Sequence, residues 1–219
     1  MKKYIGFVFC FLFTVVFPMP GSSSEKTADL LARYKDDIKK IEEYVNGISA
    51  ISGKFTQYSS KGGSISGNFY LSRPGKMRLD YDFPVQYRLI ANDDTLVYYD
   101  KKLDQTNYLD MKNIPLSLLL SPDVSFAKLG MDIPRIEKDS NDISITVKPK
   151  VKGFGGYATL VFGLYPVRLK KWSVVDAQNI RADVVFESFN RAIVFDDNFF
   201  KFDKPQPKKK KKKKTKVLE

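Results

Sequence analysis

The sequence predicts a mainly β fold: a long antiparallel sheet that closes or half-closes into a barrel, fronted by one helix. Three features predict it. Short runs alternate apolar and polar residues over most of the chain, turn residues separate them every 8–12 residues, and no helix alternates with them as a βαβ unit requires. About ten strands arranged in this way form a sheet that must twist and curl.

Taken in order, residues 1–23 join a basic Met-Lys-Lys start to an apolar run, 4–17, and a small-residue region. This is the pattern of a secretory signal peptide, with cleavage expected within 21–24. As a helix the apolar run spans about 21 Å, short of the roughly 30 Å of a bilayer core, so a retained anchor is the weaker reading. Cys10, the one cysteine, lies inside that run and not in a lipobox, so the exported chain is expected to carry no lipid and no thiol. Residues 26–46 then place Leu30, Leu31, Tyr34, Ile38, Ile41 and Val45 at helical spacing opposite a charged face, with Gly47 as the stop. One amphipathic helix of about 20 residues is expected to pack on the sheet.

The expected strands are ISGKFTQYS, SISGNFYLSR, KMRLDYD, QYRLIA, TLVYYD, LDQTNYL, DISITVK, YATLVFG, VRLKKWSVV, NIRADVVFES and NRAIVF. Gly62-Gly63, Pro74-Gly75 and Asn92-Asp93-Asp94 are turn signals between them. Residues 114–129, IPLSLLLSPDVSFAKL, break the alternation. Two short helical turns fit them best, capping or plugging the curled sheet. Leu116, Leu118, Leu119, Leu120 and Phe126 are its apolar side chains. The segment serves either as a simple cork or as a functional lid.

Composition narrows the chemistry. The chain has no histidine, which removes the commonest general base and metal ligand and rules out Ser-His or Cys-His catalysis. One cysteine permits neither a disulfide framework nor a thiolate metal site. GFGG at 153–156 lacks the Lys-Ser/Thr of a phosphate loop, and Asp93-Asp94 and Asp196-Asp197 read as turn carboxylates. No catalytic group, metal site or cofactor is expected, and the chain reads as a non-enzyme. The net charge of +12 is misleading: +8 of it lies in residues 204–219 and +2 on Lys2 and Lys3, which leaves the body at +2. The basic stretch centres on Lys208, Lys209, Lys210, Lys211, Lys212, Lys213 and Lys214, whose mutual repulsion predicts a disordered tail. It reads as a solvated tail or as a contact for anionic lipid or an acceptor. Nucleic acid is a poor third, because an exported chain seldom meets it.

A family pattern runs through the same residues. Phe55 and Gln57, Ser66 and Gly67, Arg73-Pro74-Gly75-Lys76, Phe83-Pro84, Leu89, Asp100, Gln105 and the PLSLLL insert occur in that order. This ordered set resembles the periplasmic outer-membrane lipoprotein carrier protein family (LolA), well over about residues 50–125 and by strand pattern to about 203. The resemblance implies an incomplete, half-open antiparallel β-barrel over residues 24–203, a hydrophobic cavity and a short-helix lid at 114–129. It implies a monomeric periplasmic carrier that takes acylated lipoproteins from an inner-membrane ABC transporter, shields their acyl chains and passes them to the outer membrane. It also implies that Arg73 latches the lid through lid backbone and that Met77 faces the cavity.

The alternation itself puts Ile65, Phe69 and Leu71 on one face with Arg73, and Met77, Leu79 and Tyr81 on one face of the next strand. With Leu89 these are the expected acyl-cavity lining. A guanidinium on an apolar face needs partners, and the carbonyls that end the leucine-rich helices are natural ones; the alternative is an exposed Arg at a strand end. Two other roles stay open beside the lipoprotein carrier: a carrier of free lipid or glycolipid, and an envelope adaptor whose barrel is filled. The chain departs from the family after Phe202, where Pro and Lys replace a further structured segment.

Overall fold

The structure is a computed structural model that describes residues 23–203, apart from 86, 112, 113, 116, 129, 151–155 and 197. The expected signal peptide up to residue 22, Leu116, most of the GFGG segment and the polylysine segment lie outside the described residues.

Two helices open the fold where the periodicity predicts one. They are α1 (Ser23–Arg33) and α2 (Lys35–Asn46), parted at Tyr34, whose backbone sits at φ −106°, ψ 22°. The two halves serve different neighbours: α1 packs on strand β7 (Met131–Lys138), and α2 on strand β10 (Val167–Val175). Ile38, Ile41 and Val45 are the buried side chains of α2. Gly47 ends it as expected, but in a right-handed conformation, φ −75°, with its N–H donated to Glu43 O.

Among the described residues, eleven strands form one antiparallel sheet. The first meander is β1 (Ala50–Ser59), β2 (Ser64–Ser72), β3 (Lys76–Tyr81), β4 (Tyr87–Asn92), β5 (Thr95–Asp100) and β6 (Gln105–Asp110). The second is β7, β8 (Asp142–Pro149), β9 (Tyr157–Leu164), β10 and β11 (Arg181–Phe186). The last strand pairs with the first, giving the order β6-β5-β4-β3-β2-β1-β11-β10-β9-β8-β7. The sheet is a half-open barrel whose free edges are β6 and β7.

Two expectations need correction. NRAIVF (190–195) is not a strand; it makes a single bridge, Asn190 to Ser52. The reason is topological: β11 lies between β1 and β10, so the chain that follows it finds no open edge to pair with. Conversely, β7 was not among the expected strands, because its MDIPRIEK pattern is interrupted by Pro134. The strand survives because it is an edge with a bulge between Asp132 and Arg135, where a missing N–H costs no ladder bond.

The main core lies on the inner face, where Phe55, Ile143, Ile145, Val147 and Phe162 meet Ile41 of α2 and Leu118 of the insert; all are fully buried. A second, separate cluster lies on the outer face. Ile90, Val97 and Tyr99 alternate with inward residues and, like Phe200, are buried outside the main core. Phe195, Phe199, Phe200 and Phe202 form an aromatic strap on this face: Phe199 stands 4.9 Å from the Tyr70 ring on β2, and Phe202 5.3 Å from Tyr99 on β5. Arg78 of β3 lies 4.6 Å over the Phe199 ring and donates to Phe199 O. The strap therefore crosses the strands from β2 toward β5.

Candidate functional site: an apolar cavity closed by the leucine insert

The insert joins the two free edges, β6 and β7, so it fills the mouth that the sheet leaves open. Its helix α3 (Ser117–Leu120) buries Leu118, Leu119 and Leu120, and a following turn buries Val124 and Phe126. Beneath it lies an apolar cavity of about 50 Å³. Of the lining expected from sequence, Phe69, Leu71, Met77 and Leu79 border this space, together with Arg73. Ile65, Tyr81 and Leu89 lie elsewhere: Tyr81 packs edge-on against Phe55 at 5.2 Å and donates its hydroxyl to Gln57 Oε1 at 2.7 Å. Among the described residues, α2 adds Tyr44 and Val45 to the lining, and the second meander adds Leu169, Trp172 and Phe186.

Arg73 follows the last residue of β2, so its side chain comes off at the end of the strand, next to the C-terminus of α2. Its guanidinium donates to Val45 O, to Asn46 Oδ1 at 3.0 Å and to Ser121 O at 2.5 Å. Val45 O and Ser121 O are carbonyls at or just past the ends of α2 and α3, which have no partner within their own helices. Burial depresses the Arg73 pKa, partly offset by Asp123, but a guanidinium keeps its charge throughout the physiological range. One cation thus ties the strand end, α2 and the insert together.

Residues that sequence reasoning did not single out complete the closure. The Asn46 side chain accepts from Val124 N at 2.9 Å and donates to Val124 O at 3.0 Å. Glu42 Oε1 accepts from Phe126 N at 2.7 Å, and Gly75 N donates to Leu120 O at 2.9 Å. Gly75 holds φ +79°, a conformation suited to glycine, and a Cβ there would meet Asp93 Oδ1 at 2.6 Å. No local signal marks Asn46 or Glu42, because on a helix surface a polar residue that holds a distant loop looks like any solvated one. Leu116 and the polylysine residues lie outside the described residues. No helix among the described residues is long and apolar enough to cross a membrane.

The chain is similar to several known proteins. An outer-membrane lipoprotein carrier protein of Cupriavidus pinatubonensis is 38% identical over 74 residues, which are 30% of this chain and 35% of that protein. The chain thus matches about a third of the length of that relative. A protein of the same description from Methylococcus capsulatus is 26% identical over 142 residues, 64% of this chain and 67% of its own length. A solved LolA superfamily protein from Nitrosomonas europaea superposes with a TM-score of 0.43 at 8% identity, covering 74% of this chain and 96% of that one. The model of the family described as outer membrane lipoprotein carrier protein LolA matches residues 46–203, from the end of α2 through the strap. With the half-barrel, its leucine insert and this match in hand, the chain belongs to the LolA family of outer membrane lipoprotein carriers.

Proposed function

We propose that this protein is a periplasmic, non-enzymatic carrier that shields the acyl chains of lipoproteins beneath the leucine insert. In this reading it receives cargo from an inner-membrane ABC transporter and delivers it to the outer membrane, either to an acceptor protein or directly to an anionic lipid surface. The observation that carries the reading is an all-apolar cavity closed by a separate segment that Arg73 holds at its rim.

The energetics suit such a role. Each acyl methylene is worth about 0.8 kcal/mol when buried, so exposing one chain costs on the order of 10 kcal/mol. Sites for ligands of drug size span about 300–1,000 Å³, so a cavity of about 50 Å³ is a closed state that must open to accept an acyl chain. Opening breaks the Arg73, Asn46 and Glu42 contacts, and that cost is subtracted from the affinity for cargo. Binding is then strong enough to extract a lipoprotein and weak enough to release it. Met77 and the leucines adapt to chains of differing shape.

The small cavity also favours a second reading, in which the barrel stays filled and the protein is an envelope adaptor. Native mass spectrometry of the mature chain purified from the periplasm without detergent, with and without a co-expressed acylated lipoprotein, separates the two. A one-to-one complex that requires the cargo's acylated cysteine is expected. Bound free phospholipid alone would instead make it a lipid carrier, and an empty chain that also excludes fluorescent fatty acids would establish the adaptor.

A further inference from the structure

The cavity beneath the insert has a second wall, made by the chain that follows β11. Phe186 pairs with Phe55, and Glu187 N donates to Lys54 O at 2.9 Å. Asn190 N then donates to Ser52 O at 2.7 Å, and Ser52 N to Asn190 O at 2.9 Å. Ser188 and Phe189 therefore stand opposite the single residue Gly53, which makes a β-bulge. Phe186 borders the cavity, so strict alternation would turn Ser188 inward and Phe189 out. The extra residue brings Phe189 inward instead, beside Phe186 on the cavity wall. Phe69, Phe186 and Phe189 form a triangle of rings with centroids 5.0, 5.7 and 6.1 Å apart. Gly53 makes room for the bulge, since a Cβ there would lie 1.8 Å from Ser188 O.

Exposure divides the rim of the cavity into two halves. On the insert side Leu119 is 5% exposed, and Arg73, Asn46 and Glu42 hold the closure with hydrogen bonds, two of these residues being charged. On the other side Tyr44, Ile48, Phe186 and Phe189 are half-buried, so the apolar lining reaches the surface there. Arg191 spans from the bulge to α2, its guanidinium 5.3 Å from the centre of the Tyr44 ring. Arg191 is exposed, and a cation held over a ring at an exposed site is a weak tie compared with charged hydrogen bonds. The bulge is thus the more easily opened side.

We propose that acyl chains enter and leave the cavity between the C-terminal half of α2 and the 187–191 bulge, with Phe189 as the gate and the Arg191–Tyr44 contact as its catch. The proposal rests on the carrier reading above and adds the point of entry. As the Phe189 ring moves aside, the tip of an acyl chain takes its place against Phe69 and Phe186, one apolar surface for another. The insert yields afterwards, as the chain fills the space beneath it, so the first step leaves the Arg73 contacts intact. Rate and affinity then have separate determinants: Phe189 governs how fast a chain passes, and the insert governs how tightly it is held.

Trp172, the one tryptophan of the chain, lines the cavity and reports its occupancy. The test is stopped-flow mixing of the mature chain with cis-parinaric acid, a single acyl chain that takes up energy from tryptophan. Phe189→Ala should speed uptake and release alike by about tenfold, because it removes two ring contacts that keep the gate shut. Phe189→Tyr should return both rates to the native range. Gly53→Ala, which must displace the bulge backbone, should accelerate both as Phe189→Ala does. Unchanged rates in Phe189→Ala, with energy transfer intact, would overturn the gate and leave the carrier reading standing. Weaker binding without faster uptake would also overturn it, since the ring would then only pack. No uptake by the native chain or by Phe189→Ala would overturn the gate and the carrier reading together.

Discussion

Arg73 ties the end of β2, α2 and the insert together through a single side chain, so its loss should be felt at a distance. Hydrogen bonds to a charged group are worth about 1.5–3 kcal/mol each, and Arg73→Leu removes donors to Val45 O, Asn46 and Ser121 O. Closure of the insert should weaken by on the order of 3 kcal/mol, read as a roughly hundredfold loss of amide exchange protection at Val124 and Phe126. Cargo should be accepted but poorly released, and Arg73→Lys should rescue little, because one ammonium cannot span three acceptors. Unchanged protection would remove Arg73 from the closure. Tyr81 gives a second handle. Burial raises its pKa from the usual value near 10 to about 12, so the folded state keeps a phenol proton that the unfolded chain loses. The resulting stabilisation is complete below pH 10 and is lost as the pH rises toward 12. Urea unfolding should therefore show stability declining by up to about 1.4 kcal/mol per pH unit from this group, and Tyr81→Phe should make that decline shallower.

Among the elements, the outer-face strap is held by packing and not by sheet pairing. Phe200 is 2% exposed and lies outside the main core, edge-on to Phe195 at 5.1 Å and to Phe199 at 5.2 Å. Phe200→Ala should cost about 3–5 kcal/mol, measured by urea denaturation, provided the strap and the sheet unfold together. A much smaller loss would mean that the strap detaches on its own. The insert is a different kind of element. Its four-residue helix is too short to persist alone and stays in place through long-range bonds from α2 and the β2–β3 turn. A segment held by side-chain bonds and packing, and not by sheet pairing, is the one that the proposed carrier cycle would open.

At the scale of the molecule, the pairing of β1 with β11 decides the architecture. It welds two meanders into one sheet and leaves β6 and β7 as free edges on either side of a gap. The insert connects those edges in the chain, so it closes the gap that the topology creates. Most strands were legible beforehand because alternation is written into adjacent residues: in β8, Ile143, Ile145 and Val147 face inward while Ser144 and Thr146 do not. The placement of Arg73 among apolar residues was legible for the same reason. Ile65, Tyr81 and Leu89 show the limit of that reasoning, since parity gives the face but not the distance along the strand to the cavity.

The sequence by itself determined the antiparallel β class, the apolar insert between two runs of strands, the single cation on an inward face and the confinement of charge to one terminal segment. Each follows from residues that are neighbours in the chain. Only the tertiary structure decided that the helix breaks at Tyr34 to serve two neighbours, that Pro134 sits harmlessly in an edge strand, that residues 190–195 leave the sheet, and that Asn46 and Glu42 hold the insert shut. Those outcomes depend on which surfaces remain unpaired once the strands have assembled, and no local pattern of side chains carries that information.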